Sequence, residues 1–131
     1  MQNEAEFKSV VQLVCNDKSI SQAIIFGSMA KGALKPESDI DIAIKTVSPL
    51  KTQKKIAFIE SLANLLGRPV DLVDLRTVGE PLLGQILQYG KQVKGSDSNW
   101  ASLALKHLYA NEDFMPYVNR ALRERRERWI K

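Results

Sequence analysis

Cysteine and histidine are nearly missing from this sequence: Cys15 and His107 are the single examples of each. One cysteine excludes an internal disulfide, and without a Cys/His cluster there is no zinc site to read. No apolar run approaches the roughly 20 residues that a membrane-spanning helix needs. The opening MQNEAEFKSV is polar and acidic, which is not the pattern of a secretory leader. These absences lead to the expectation of a protein of the reducing cytoplasm with no membrane segment. What is present is ordinary for a globular chain. Of 131 residues, 44% are apolar and 26% charged, enough for one hydrophobic core and too little for two substantial lobes.

Charge is unevenly placed. The segment 114–131 holds Arg120, Arg123, Arg125, Arg126, Arg128 and Lys131 against Glu124 and Glu127, so it carries the whole formal net charge of +4. The body of the chain is neutral, and an argument for nucleic-acid binding from overall charge would apply to this segment alone. Phe114, Tyr117, Val118, Ala121 and Leu122 recur at helical spacing among the arginines. Three readings stay open: a solvated helix closing the domain, a docking helix for an acidic partner, or a phosphate-contacting surface. No groove-reading motif is present, which argues against direct DNA binding.

Hydrophobic periodicity divides the rest. Phe7, Val10, Val11 and Val14 mark an amphipathic helix over the first 17 residues. QAIIF (22–26) reads as a short buried strand that stops at Gly27-Ser28. Residues 29–38 read as a turn of helix and a loop. DIDIAIK (39–45) alternates strictly, with Ile40, Ile42 and Ile44 on one face. A helix is expected from Ser48-Pro49 to Leu66 with Gly67 as its C-cap. PVDLVDL (69–75) is a third strand, a helix spans about Pro81 to Tyr89, and 91–94 forms a short edge strand. Gly95-Ser96-Asp97-Ser98 reads as a linker, and the remainder as helical with a break near Asn111 to Pro116. The fold class is α/β (α+β): a small mixed β-sheet with helices on one face, plus C-terminal helices. This organisation implies a domain over 1–97 and a helical extension over 98–131, packed on the domain or on a partner. The open face of the sheet is where chemistry is expected.

Asp39 and Asp41 stand two apart on a strand, so their carboxylates share a face while the isoleucines take the other. Two such carboxylates repel and raise each other's pKa unless a cation separates them, and a hard divalent ion with oxygen ligands resolves the conflict. Asp is depleted in strands, yet the third strand carries it too. If Val70 and Leu72 lie on the buried face with the isoleucines, Asp71 joins Asp39 and Asp41. Asp74 then falls on the opposite side and reads as a turn carboxylate. Gly27 lets the backbone approach a ligand, and Ser28 opens a helix where its hydroxyl and N–H can donate to phosphate oxygens. Gly27 to Gly32 has the outer spacing of a Walker loop, but Ala33-Leu34 follow where Lys and Ser/Thr are required. His107 reads as a surface or packing residue, and Cys15 as a small buried hydrophobe on the first helix.

Gly27-Ser28, ten residues, Asp39-Ile40-Asp41 and then Asp71 make a pattern that resembles the minimal nucleotidyltransferases of the DNA polymerase β superfamily. More narrowly, it is similar to the MntA-type antitoxins of HEPN/MNT toxin–antitoxin systems. The resemblance covers roughly residues 5–95. It implies a polymerase-β-like nucleotidyltransferase fold and transfer of AMP from ATP to an acceptor hydroxyl, with release of pyrophosphate. It further implies that Asp39, Asp41 and Asp71 are catalytic and hold metal, with two Mg²⁺ ions expected. Gly27, Ser28 and Lys31 would bind the nucleotide. Many relatives carry arginines in this turn, where this chain has Met29-Ala30-Lys31-Gly32, which keeps one charge without the bidentate fork. For MntA-like members the acceptor is a tyrosine of a partner HEPN ribonuclease toxin, which the modification silences, so a hetero-oligomer is implied. Two other functions remain open: a non-catalytic antitoxin acting by steric binding, and adenylylation of a small molecule.

Overall fold

The computed structural model describes residues 2–110 and Arg123. The basic segment 114–131 and the break expected near 111–116 otherwise lie outside the described residues. The elements in chain order are α1 (Gln2–Asn16), β1 (Ile20–Phe26), α2 (Gly27–Ala30), β2 (Ile40–Thr46), α3 (Thr52–Leu66), β3 (Val70–Asp74), α4 (Leu82–Tyr89), β4 (Lys91–Lys94) and α5 (Asp97–Ala110). The four strands form one mixed sheet in the order β3-β2-β1-β4. β1 runs antiparallel to β2 and to β4, while β2 and β3 are parallel. α3 makes the crossover that a parallel pair requires, and Gly67 closes it in the left-handed conformation (φ 66°) with its N–H on the Ala63 carbonyl at 2.8 Å.

The alternation of β2 sets the core. Ile40, Ile42 and Ile44 are buried together with Ala23 and Ile25 of β1 and Leu72 of β3, under Val10 and Val14 of α1 and Phe58 and Leu62 of α3. Each such aliphatic side chain contributes about 1.5–3 kcal/mol by leaving water. The opposite face holds a second core. Ile24, Phe26 and Ala43 pack there against Leu83 and Ile86 of α4 and Leu103 of α5.

That second core amends the expectation of helices on one face. α4 and α5 pack on the other face, while Asp39 and Asp71, where β2 and β3 begin, are exposed. Three smaller readings also shift. α3 starts at Thr52, three residues after Pro49. The polar run read as a linker is the start of α5: Ser96 Oγ accepts from the Asn99 N–H at 3.2 Å, and Asn99 Oδ1 accepts from the Ser96 N–H at 2.8 Å, a reciprocal cap. Cys15 lies on α1 but is exposed, its Sγ directed at the Val93 carbonyl at 3.6 Å. His107 packs between helices, with Nδ1 2.5 Å from Glu80 Oε1 and its ring over Gly84.

Candidate active site

Register brings the acidic residues together. Asp41 is the Cα partner of Asp71 on β3 and of Phe26 on β1, the residue just before Gly27. Neighbouring strands run about 4.8 Å apart, so the ends of three strands present Gly27, Asp41 and Asp71 side by side, and Asp39 leads into β2 immediately before them. Asp41 is half-buried, while Asp39 and Asp71 are exposed. Asp74 sits where the alternation puts it, at the end of β3 away from this group, and its Oδ1 accepts the Arg76 N–H at 2.9 Å in a turn.

The electrostatics follow from this placement. Burial raises the Asp41 carboxyl above its ordinary value, and the charges of Asp71 and then Asp39 push it further in the same direction. No opposing cation is paired with any of the three among the described residues. Nor do three acidic, histidine or cysteine side chains there stand close enough to enclose an ion by themselves. The donor set is all oxygen, which suits a hard divalent cation carrying substrate phosphates as its remaining ligands. A half-buried carboxylate raised by two like charges is the local condition that such a cation relieves.

Gly27 has φ 69°, a conformation costly for residues with a Cβ. A Cβ at this position would overlap Asp41 Oδ2. The missing side chain thus makes room for the central carboxylate as well as for an approaching ligand. α2 follows at once, anchored in the first core by Met29 and Ala30. Ser28 is half-buried at its first turn, where helix N–H groups have no partner within the helix. Lys31 leaves the end of α2, and its Nζ lies 4.7 Å from the centroid of the Tyr89 ring, a cation–π contact.

Two of these participants carry no sequence signal. Tyr89 meets Lys31 only because α4 ends beside α2. Arg68, in the turn between α3 and β3, is buried. Its Nε donates to Glu6 at 2.8 Å, and its Nη1 donates to the carbonyls of Lys35, Pro36 and Ser38 at 2.5, 3.0 and 3.2 Å. One guanidinium therefore ties the loop entering Asp39 to the turn entering Asp71. Nothing in a lone arginine before Pro69 marks that role.

A Gly-Ser turn beside clustered carboxylates on a mixed sheet is the arrangement expected of a nucleotidyltransferase, and the comparisons agree. Residues 8–99 match the family model "Polymerase beta, Nucleotidyltransferase", and the chain belongs to this family. Within it, the chain is 33% identical over 108 residues to the protein adenylyltransferase MntA of Shewanella oneidensis, covering 82% of this chain and 78% of that one. Among solved structures it is similar to a toxin–antitoxin with AMP-PNP (TM-score 0.67, 29% identity, 95% of this chain and 94% of that one). It is also similar to the MNT antitoxin in complex with the tri-AMPylated HEPN toxin of Shewanella oneidensis (TM-score 0.63, 28% identity, 99% and 96%).

Proposed function

We propose that this protein is an antitoxin that transfers AMP from ATP to a tyrosine hydroxyl of a partner HEPN toxin and thereby neutralises it. The observation that carries this reading is the register pairing of Asp41 with Asp71 beside Gly27, in a chain whose relatives are a protein adenylyltransferase and an antitoxin bound to an AMPylated toxin. The reaction belongs in the cytoplasm, where ATP is available.

In the reaction, the acceptor oxygen attacks the α-phosphorus of ATP. The bond from that phosphorus to the oxygen bridging to the β-phosphate breaks, and pyrophosphate leaves. Asp39 and Asp41 would hold Mg²⁺ with Asp71 completing the set, and the bound ions would supply charge neutralisation at the phosphates and at the leaving group. Gly27 and Ser28 cradle the triphosphate through backbone and hydroxyl, with Lys31 as the neighbouring positive charge. Asp71, exposed at the start of β3, would take the acceptor proton. Its exposure suits an acceptor presented by a macromolecule. Positioning and charge carry most of the catalysis, as phosphoryl-type transfers demand little covalent chemistry of the protein.

The double substitution Asp39→Glu with Asp41→Glu separates catalysis from steric blocking, because it preserves charge while moving the carboxylates. Neutralisation of the toxin ribonuclease is expected to be lost with binding retained. Full neutralisation by this variant would support an antitoxin that works by contact alone.

A further inference from the structure

At the far end of the helix-covered face, residues of α5, β1, β2 and the turn after β3 line a surface cleft of about 300 Å³. Three cations line it: Lys45 of β2, Arg76 of the turn after β3, and Lys106 of α5. No carboxylate is among its lining residues. Lys45 lies on the same face of β2 as Asp41, four residues away, or about 13 Å along the strand. Ala43 lies between them, fully buried in the second core. The cleft is therefore separate from the acidic end of the sheet and of opposite charge.

The donors are held rather than loose. Arg76 Nη2 donates to the carbonyls of Thr46 and Val47 at 2.8 and 3.2 Å, which fixes the guanidinium and leaves Nε and Nη1 without an acceptor among the described residues. Lys106 Nζ bridges the carbonyls of Leu75 and Arg76, both at 3.3 Å. The Lys45 ammonium, half-buried, has no hydrogen-bond or ion-pair partner among the described residues. Asn99 Oδ1 is committed to Ser96, so its amide offers Nδ2, and Ser102 adds a hydroxyl. Three like charges gathered in one cleft repel, and an anion is what offsets them. Five donor groups and three positive charges exceed what one carboxylate accepts with its roughly four lone-pair sites. They match a multiply charged oxyanion, and the fixed arginine fork suits phosphate.

We propose that this cleft is a second anion site that binds a phosphate-class oxyanion carrying two or more negative charges, independently of the nucleotidyl-transfer site. The charges can belong to one free anion or to successive phosphodiesters of a nucleic-acid backbone, and the test distinguishes the two. The full chain is titrated by calorimetry in EDTA with pyrophosphate, and separately with a short single-stranded oligoribonucleotide. Saturable metal-free binding is expected, weakened at least tenfold in Lys45→Gln/Lys106→Gln and unchanged in Lys31→Gln. Lys45→Gln alone breaks no contact among the described residues and keeps the test readable if the double variant misfolds; it is expected to weaken binding several-fold. Lys45-dependent binding of pyrophosphate assigns a free-phosphate ligand. The same dependence seen with the oligoribonucleotide alone assigns backbone phosphate. Absence of binding by both probes, equal affinity in the Lys45 variants, or loss of binding in Lys31→Gln overturns the proposal.

Discussion

Arg68 and Glu6 are 62 residues apart in sequence and meet at 2.8 Å, with side chains only 7% and 12% exposed. Because the same guanidinium holds three carbonyls of the loop before Asp39, this buried pair spans α1, that loop and the start of β3. Arg68→Met leaves a buried carboxylate and three carbonyls without their donor, a loss of about 3–5 kcal/mol in stability. Under conditions where the variant remains folded, kcat for AMP transfer is expected to fall further than KM for ATP rises, since the damage is to carboxylate placement. Arg68→Lys keeps the charge but cannot reach all four partners, and should fall between the two. Urea denaturation and steady-state kinetics check both. An unchanged kcat in the folded Arg68→Met protein would remove Arg68 from the positioning of the site.

Gly27→Ala tests the space shared with Asp41. The backbone conformation alone costs about 1–2 kcal/mol for a residue with a Cβ, and the methyl group competes with the carboxylate for the same volume. Stability is expected to drop by at least that amount, and AMP transfer by two orders of magnitude or more. Thermal unfolding together with an AMP-incorporation assay measures both effects. Activity near that of the parent would show that Asp41 can move without penalty.

The raised Asp41 carboxyl makes stability depend on pH. The folded state holds this proton to higher pH than the unfolded chain does. Stability is therefore lost as pH rises from the ordinary carboxylate value of 3.8 through the raised folded value, and the loss is complete above it. Asp41→Asn removes the charge. In metal-free buffer the variant is expected to unfold at a higher temperature than the parent near neutral pH, by on the order of a degree or two. The difference should close as pH falls below 3.8, while AMP transfer is abolished. A variant less stable than the parent at neutral pH would contradict the crowding of like charges at this position.

Much of the fold is legible in the sequence because the strand signal is local. The alternation of Asp39 to Lys45 and the Val70/Leu72 phase place three carboxylates on one face without knowledge of the topology, and the parallel register then sets Asp41 against Asp71. The cover on the second face was not legible. α5 docks through Leu103, through Trp100 and through His107 over Gly84, contacts between segments that no local pattern connects. The cap made by Ser96 and Asn99 has the composition of a linker, and only the helix that follows distinguishes the two. Arg68 is the hardest case: its partners are mainly backbone carbonyls, which any sequence supplies. The balanced charge of the body hides the cationic cleft in the same way, since Lys45, Arg76 and Lys106 are scattered in sequence and meet only in the folded domain.

The most direct test of the central claim is the intact mass of the partner HEPN protein after incubation with ATP, Mg²⁺ and this protein, run beside Asp39→Asn, Asp41→Asn and Asp71→Asn. Gains in steps of one adenylate with the parent, lost in all three variants and in EDTA, are the expected result. A partner of unchanged mass that is nevertheless neutralised, or adenylate gains that persist without Asp71, would contradict the account.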